Sequence, residues 1–148
     1  MEFNNIKLKF PIFKQKIKGK PLIYLDSANS AQKPQTVIDE ISRFYETEFS
    51  NVGRSVHTLA VKATNKFEET RDIVQSYINA KHREEIIFTK GATEAINLVA
   101  TSFGEKYITK GDEIIITELE HHSNYVPWHF TRQKKGAIIK FAPVNERG

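Results

Sequence analysis

Three polar segments of this sequence carry residue types that do chemistry. In Thr89-Lys90-Gly91-Ala92-Thr93-Glu94-Ala95 an apolar run ends, a glycine permits a tight turn, and a helix opens on a hydroxyl side chain. Backbone N–H groups at Gly91, Ala92 and Thr93 would point out of that helix end. The macrodipole adds partial positive charge and the Thr93 hydroxyl can donate once more, an arrangement suited to a phosphate. The glycine spacing and following lysine of a Walker motif are missing, and so is GxGxxG. Read alone, the segment equally allows Thr93 to act only as a helix cap.

The second segment, Glu118-Leu119-Glu120-His121-His122-Ser123-Asn124, follows the next apolar run. Ligands of open parallel sheets sit outside the carboxyl ends of the strands, so this loop and the Gly91 turn should face one crevice. A histidine ring there could stack on a flat cofactor. Alternatively Glu118, Glu120 and His122 could share a strand face and bind a metal, with His129 as the nearby fourth candidate, or the histidines could be ordinary loop residues. The third segment, Asn51-Val52-Gly53-Arg54-Ser55-Val56-His57-Thr58, is a polar turn. Arg54 offers a bidentate fork to a substrate carboxylate, or is a surface arginine beside a helix-capping Thr58.

The elements that must position these groups are legible as periodicity. Residues 1–20 alternate apolar residues with lysines around Pro11 and read as a short amphipathic arm. Leu22-Ile23-Tyr24-Leu25 reads as a strand running into the polar cluster Asp26-Ser27-Ala28-Asn29-Ser30. Pro34 opens a helix with Val37, Ile38, Ile41, Phe44 and Tyr45 on one face, ending near Ser50. A second helix spans about Thr58 to Ile78, closed by Asn79 and Ala80. Then come a buried strand over 85–89, a helix from Thr93 to Phe103, a strand from Glu113 to Thr117, a helix from about Asn124 to Lys135, and a strand from Ala137 to Phe141. Apolar strands alternating with amphipathic helices predict an α/β fold, a parallel sheet covered on both faces in the doubly wound manner.

Composition narrows the function classes. The 148 residues are 39% hydrophobic and 27% charged, enough for one compact domain or a piece of a larger one. The formal charge of +4 would suit nucleic acid, but the lysines and arginines are interspersed with acids and no stacking motif accompanies them, so no nucleic-acid role is expected. With no cysteine, a disulfide, a thiolate metal site and a cysteine nucleophile within these residues are all excluded. No apolar stretch near the start has the length of a signal core or membrane span, which leads to an expected cytoplasmic residence without membrane association.

Taken together, the motifs resemble the group II (SufS-type) cysteine desulfurases of the class V aminotransferase superfamily. The matching pieces are Tyr24-Leu25-Asp26-Ser27-Ala28 with Ala31-Gln32-Lys33-Pro34, Arg54 with Val56-His57-Thr58-Leu59, Gly91 through Leu98, and Glu120-His121-His122-Ser123-Asn124 running into Val126-Pro127-Trp128. The resemblance implies a partial three-layer sheet of the fold-type I aminotransferase large domain over 21–148, with residues 1–20 as a helical arm of the small domain. It implies pyridoxal 5'-phosphate as cofactor, its phosphate on Gly91, Ala92 and Thr93, its ring stacked under the catalytic His121, and no metal. His122 is then structural.

Ala28, Asn29 and Arg54 are implied to border the site for L-cysteine or the partner subunit. Asn29 stands where relatives have a small residue, Gly53 where they carry a histidine, and Ala92 where threonine is frequent. The family reaction removes a proton from L-cysteine with the cofactor as electron sink, then passes sulfur to a nucleophilic cysteine and on to an acceptor protein of iron-sulfur assembly, leaving alanine. The lysine that binds the cofactor, the aspartate at the pyridine nitrogen and that cysteine have no counterpart here. The chain therefore reads as the N-terminal part of a homo-oligomeric enzyme, inactive alone. Selenocysteine lyase, another class V relative, and a non-catalytic, self-associating remnant are the alternatives.

Overall fold

The computed structural model describes residues 3–147, which fall into two compact units that divide between Ile86 and Ile87. In the first, the arm forms helix α1 (Phe3–Lys7) and a 3₁₀ turn at Pro11–Lys14, where Pro11 fits because the first helical N–H needs no partner. Strands β1 (Lys16–Ile17) and β2 (Lys20–Pro21) pair antiparallel around Lys18 and Gly19, with φ of 50° and 78°. Two consecutive left-handed residues make the tight turn that matches the twist of a hairpin. The Gln35 N–H donates to Lys9 O at 2.8 Å and ties the arm to the start of helix α2 (Gln35–Thr47).

Helix α3 (Thr58–Tyr77) buries Ala60 and Ala63. Asn79, with φ of 57°, turns the chain out of the helix while the Ala80 N–H closes on Gln75 O at 3.0 Å. Across α2 and α3, Glu48 binds both Lys66 and Arg43, and Glu40 binds Arg43 at 2.5 Å. The Lys66 ammonium most strongly, and Arg43 beside it, hold the Glu48 carboxyl below its ordinary pKa. A groove of about 680 Å³ lies between the helices, lined by Ile41, Phe44, Tyr45, Phe67 and Ile73.

In the second unit, helix α4 (Ala92–Tyr107), strand β3 (Glu113–Thr117), a 3₁₀ turn at His122–Asn124, helix α5 (Val126–Lys135) and strand β4 (Ile138–Ala142) follow in order. β3 and β4 pair parallel, Glu113 opposite Ile138 through Thr117 opposite Ala142, so β3–α5–β4 is a crossover unit. The core consists of Ile116 on β3, Ala137, and the small residues Ala100, Gly104 and Thr131 where α4 packs on α5. Gly136, with φ of 73°, ends α5, and its carbonyl accepts from the Gly111 N–H at 3.0 Å.

Five expectations are corrected. Leu22–Leu25 forms no strand: the Leu22 N–H still bonds Gln15 O at 3.2 Å, but the β1–β2 ladder goes no further, and Ile23 and Leu25 are exposed. Residues 86–89 form no paired strand either. Arg83–Glu85 is a 3₁₀ turn, Ile86 is buried, and no neighbouring strand supplies a ladder. Helix α2 stops at Thr47 instead of near Ser50, the Glu48 N–H closing it on Phe44 O at 3.0 Å, and α4 runs on to Tyr107, past the expected Phe103. Helix α5 starts at Val126, because Asn124 belongs to the preceding 3₁₀ turn.

Candidate functional site

At the first turn of α4, Gly91 is the N-cap and no side chain caps the helix, so the possibility that Thr93 is the cap does not hold. The first intrahelical bond runs from Ala95 N–H to Gly91 O at 3.1 Å. The N–H groups of Ala92, Thr93 and Glu94, and the Thr93 hydroxyl, have no hydrogen-bond partner among the described residues. The Glu94 carboxylate turns back to accept from the Lys90 N–H at 2.6 Å. A Cβ built on Gly91 would meet nothing within 4 Å. Sixteen helical residues align their dipoles behind these free donors. The donor set fits a phosphate: several N–H groups and one hydroxyl at the positive end of a helix.

The loop after β3 is organised by polar contacts. The Thr117 hydroxyl donates to Glu120 Oε1 at 2.9 Å and the Asn124 amide donates to Glu120 Oε2 at 2.8 Å. Asn124 and Thr117 together hold the Glu120 carboxyl below its ordinary range. Trp128 Nε1 donates to Asn124 Oδ1 at 3.1 Å. His121 caps the 3₁₀ turn His122–Asn124, which packs against both α4 and α5. Its Nδ1 accepts from the Ser123 N–H at 3.2 Å and lies 2.9 Å from Ser123 Oγ. The His121 and His122 rings meet edge to face at 6.1 Å. His122 lines a hollow of about 150 Å³ at the carboxyl end of β3, with Thr117, Glu118, Glu120, Tyr125 and Phe141.

Among the described residues no three histidine, aspartate or glutamate side chains are grouped to hold a metal ion. Glu120 serves the loop instead, and Glu118 accepts from the Val144 N–H at 3.4 Å. The role of Glu120 went unread in the sequence. Its signal was the spacing of Glu120, Asn124 and Trp128, each four residues from the next, which stacks them along one side of a helical start.

In the first unit, Ala28 and Asn29 share a turn closed by Asn29 N–H and Ser30 N–H on Asp26 O at 3.2 and 3.1 Å. The Tyr24 hydroxyl reaches Ser30 O at 2.5 Å and pins that turn, a contact the sequence reading missed. Arg54 lies exposed in the 51–57 turn and makes no hydrogen bond or ion pair among the described residues. The Thr64 hydroxyl holds this turn from below, accepting from Gly53 N–H at 3.1 Å and donating to Ala60 O at 2.7 Å. His57, rather than Thr58, caps α3, its Nδ1 accepting from Ala60 N–H at 3.4 Å.

A parallel crossover unit, with a helix whose first N–H groups are free and a histidine turn packed on that helix, defines an α/β protein. The chain belongs to the class-V aminotransferase family, whose model matches residues 23–148. It is 48% identical over 143 residues, 97% of its length, to the cysteine desulfurase of Pectobacterium atrosepticum, of which it covers 35%. The cysteine desulfurase of Thermococcus onnurineus, solved in its apo form, superposes with a TM-score of 0.87 at 34% identity, over 100% of this chain and 35% of that one. The Escherichia coli cysteine desulfurase CsdA superposes with a TM-score of 0.76 at 34% identity, over 99% of this chain and 35% of that one. The chain spans between 21% and 36% of the length of the curated relatives it matches. These neighbours carry the fold-type I architecture, so the crossover unit and its helices are part of that α/β fold.

Proposed function

We propose that this chain supplies the phosphate turn and the ring-stacking histidine of a pyridoxal-phosphate-dependent cysteine desulfurase of the SufS type. The observation that carries the reading is the set of unpartnered donors at Ala92, Thr93 and Glu94 at the head of α4. Gly91, Ala92 and Thr93 hold the cofactor phosphate, and His121 lies against the pyridine ring. Bound pyridoxal phosphate supplies an electron sink for loss of a proton from the substrate.

Within this reading each residue has a definite task. The Thr93 hydroxyl and the backbone N–H groups neutralise phosphate charge and fix the cofactor's position. His121 covers the ring and presents Nε2–H as a hydrogen-bond donor, since Nδ1 is occupied as an acceptor. Arg54, with no partner among the described residues, offers its fork to the L-cysteine carboxylate, and Ala28 and Asn29 border the substrate. The whole enzyme converts L-cysteine to alanine and passes sulfur to an acceptor protein, as a cytoplasmic homo-oligomer. Residues 1–20 act as a small-domain arm and 21–148 as part of the large domain. No helix of the described residues is long and apolar enough to cross a membrane.

The test is titration of pyridoxal phosphate into the isotope-labelled chain, followed by backbone and imidazole NMR. The expected result is weak binding that moves the Ala92 and Thr93 amides and the His121 ring together, reduced several-fold in Thr93→Val. Absence of shifts at millimolar ligand, or shifts confined to lysine side chains, would sink the assignment. No alanine is expected from L-cysteine with these residues alone, since they include no cysteine to accept sulfur.

A further inference from the structure

We infer that Glu120 and Asn124 are positioning residues that, with Ser123, hold His121 as a single tautomer in a fixed orientation. The role rests on the reading of His121 as the ring-facing residue, but the geometry stands by itself. Glu120 bridges the two ends of the loop that carries His121: Thr117 at the end of β3 and Asn124 at the end of the 3₁₀ turn, at 2.9 and 2.8 Å. Asn124 also donates its backbone N–H to His121 O at 2.8 Å, so the carboxylate fixes the residue that fixes His121.

The polarity of this chain of bonds admits one arrangement. An indole N–H only donates, so Trp128 Nε1 at 3.1 Å requires the oxygen of the Asn124 amide to face it. The amide nitrogen must then face Glu120, which as a carboxylate only accepts. At the other end, the Ser123 N–H at 3.2 Å is a fixed donor to His121 Nδ1, and the Ser123 hydroxyl at 2.9 Å must donate there as well. Nδ1 is therefore the unprotonated nitrogen and the neutral ring carries its proton on Nε2, the atom left free.

The experiment is long-range ¹⁵N NMR of the imidazoles of the 148-residue chain at pH 8, for the wild type and for Glu120→Ala, Glu120→Gln and Asn124→Ala. In the wild type the Nε2–H form of His121 should exceed the Nδ1–H form by about tenfold or more. Glu120→Ala and Asn124→Ala should lower that ratio about fivefold, the loss of one ordinary hydrogen bond. Glu120→Gln should restore it, because a glutamine oxygen can accept from Asn124 while its nitrogen donates to the Thr117 hydroxyl. If the alanine variants do not fold, Thr117→Val removes one of the two bonds and leaves the loop residues in place, and a lowered ratio there supports the inference. A mixed tautomer in the wild type, or a ratio unchanged in folded variants, overturns it. If the tautomer behaves as expected but pyridoxal phosphate leaves the His121 ring unmoved, the cofactor reading fails and the positioning role survives.

Discussion

Replacing Gly104 by alanine should stabilise the unit 87–148. Gly104 lies inside α4, where glycine costs about 0.5–1 kcal/mol relative to alanine through its backbone freedom. It is also buried against α5, so steric crowding could reverse the sign. The distances decide: a Cβ there would lie 3.5 Å from Thr131 Cγ2, 3.6 Å from Thr131 Oγ1 and 3.7 Å from Ile108 Cδ1, ordinary van der Waals contacts. The added methyl therefore gains burial without displacing α5. A gain of about 1 kcal/mol corresponds to about 4–8 °C in the unfolding midpoint of a unit this small. Trp128, the single tryptophan, sits on α5 and reports this unit by fluorescence during thermal and urea unfolding. Gly104→Val, whose branched side chain does not fit at 3.5 Å, should destabilise by about 1–3 kcal/mol. A lowered midpoint for Gly104→Ala would refute the packing account.

Gly53→His, which restores the residue expected from the family resemblance, should cost about 1–2 kcal/mol, read by urea unfolding under far-UV circular dichroism. Nothing lies within 4 Å of the added Cβ, so the φ of 143° accounts for the whole loss. Lys66 and Arg43 hold Glu48 below its ordinary value, so its ion pairs stabilise the folded chain above about pH 4.3 and that contribution is lost as pH falls through the lowered folded value. Glu48→Gln should therefore flatten the acid limb of the stability curve below that pH and leave its shape unchanged near neutrality. Glu120 behaves with the same sign, through Asn124 and Thr117. On acidification the amides of the His121 turn should gain exchange with solvent before those of Ile115 and Ile116, which are held in the backbone ladder with β4; simultaneous loss would contradict the clamp.

The helices were the readily legible part of the fold. The 58–78 periodicity returns as α3 over Thr58–Tyr77, because an amphipathic helix satisfies its backbone within itself and needs from outside only a surface for one face. Strands fare differently, since their backbone groups depend on a neighbour. Glu113–Thr117 and residues 137–141 find each other and form β3 and β4, whereas Leu22–Leu25 and 86–89 have equal apolar character and no paired strand among the described residues. Of the candidate site, the Gly91–Thr93 turn was legible because glycine followed by a helix start leaves few alternatives. The part played by Glu120 was not. A carboxylate beside two histidines carries the same signature whether it binds metal or backs a turn, and only the polarity of its neighbours separates the two.

The groups exposed to a ligand are held from behind by two different kinds of interaction. The donors at the head of α4 are placed by apolar contact, Ala100 and Gly104 against Thr131, which lets the helix approach α5 closely and sets its axis. His121 is placed by directed bonds through Glu120, Asn124 and Trp128, and α5 receives both supports, through Thr131 in the first and Trp128 in the second. Apolar packing tolerates small changes of volume but constrains rotation of a side chain poorly, whereas a donor–acceptor chain of fixed polarity specifies a ring's tautomer and direction. A backbone N–H needs only its helix axis to be correct, while an imidazole needs its tautomer and plane set as well. The division follows from the geometry of each group, and it makes α5 the element whose disturbance would shift the head of α4 and the histidine together.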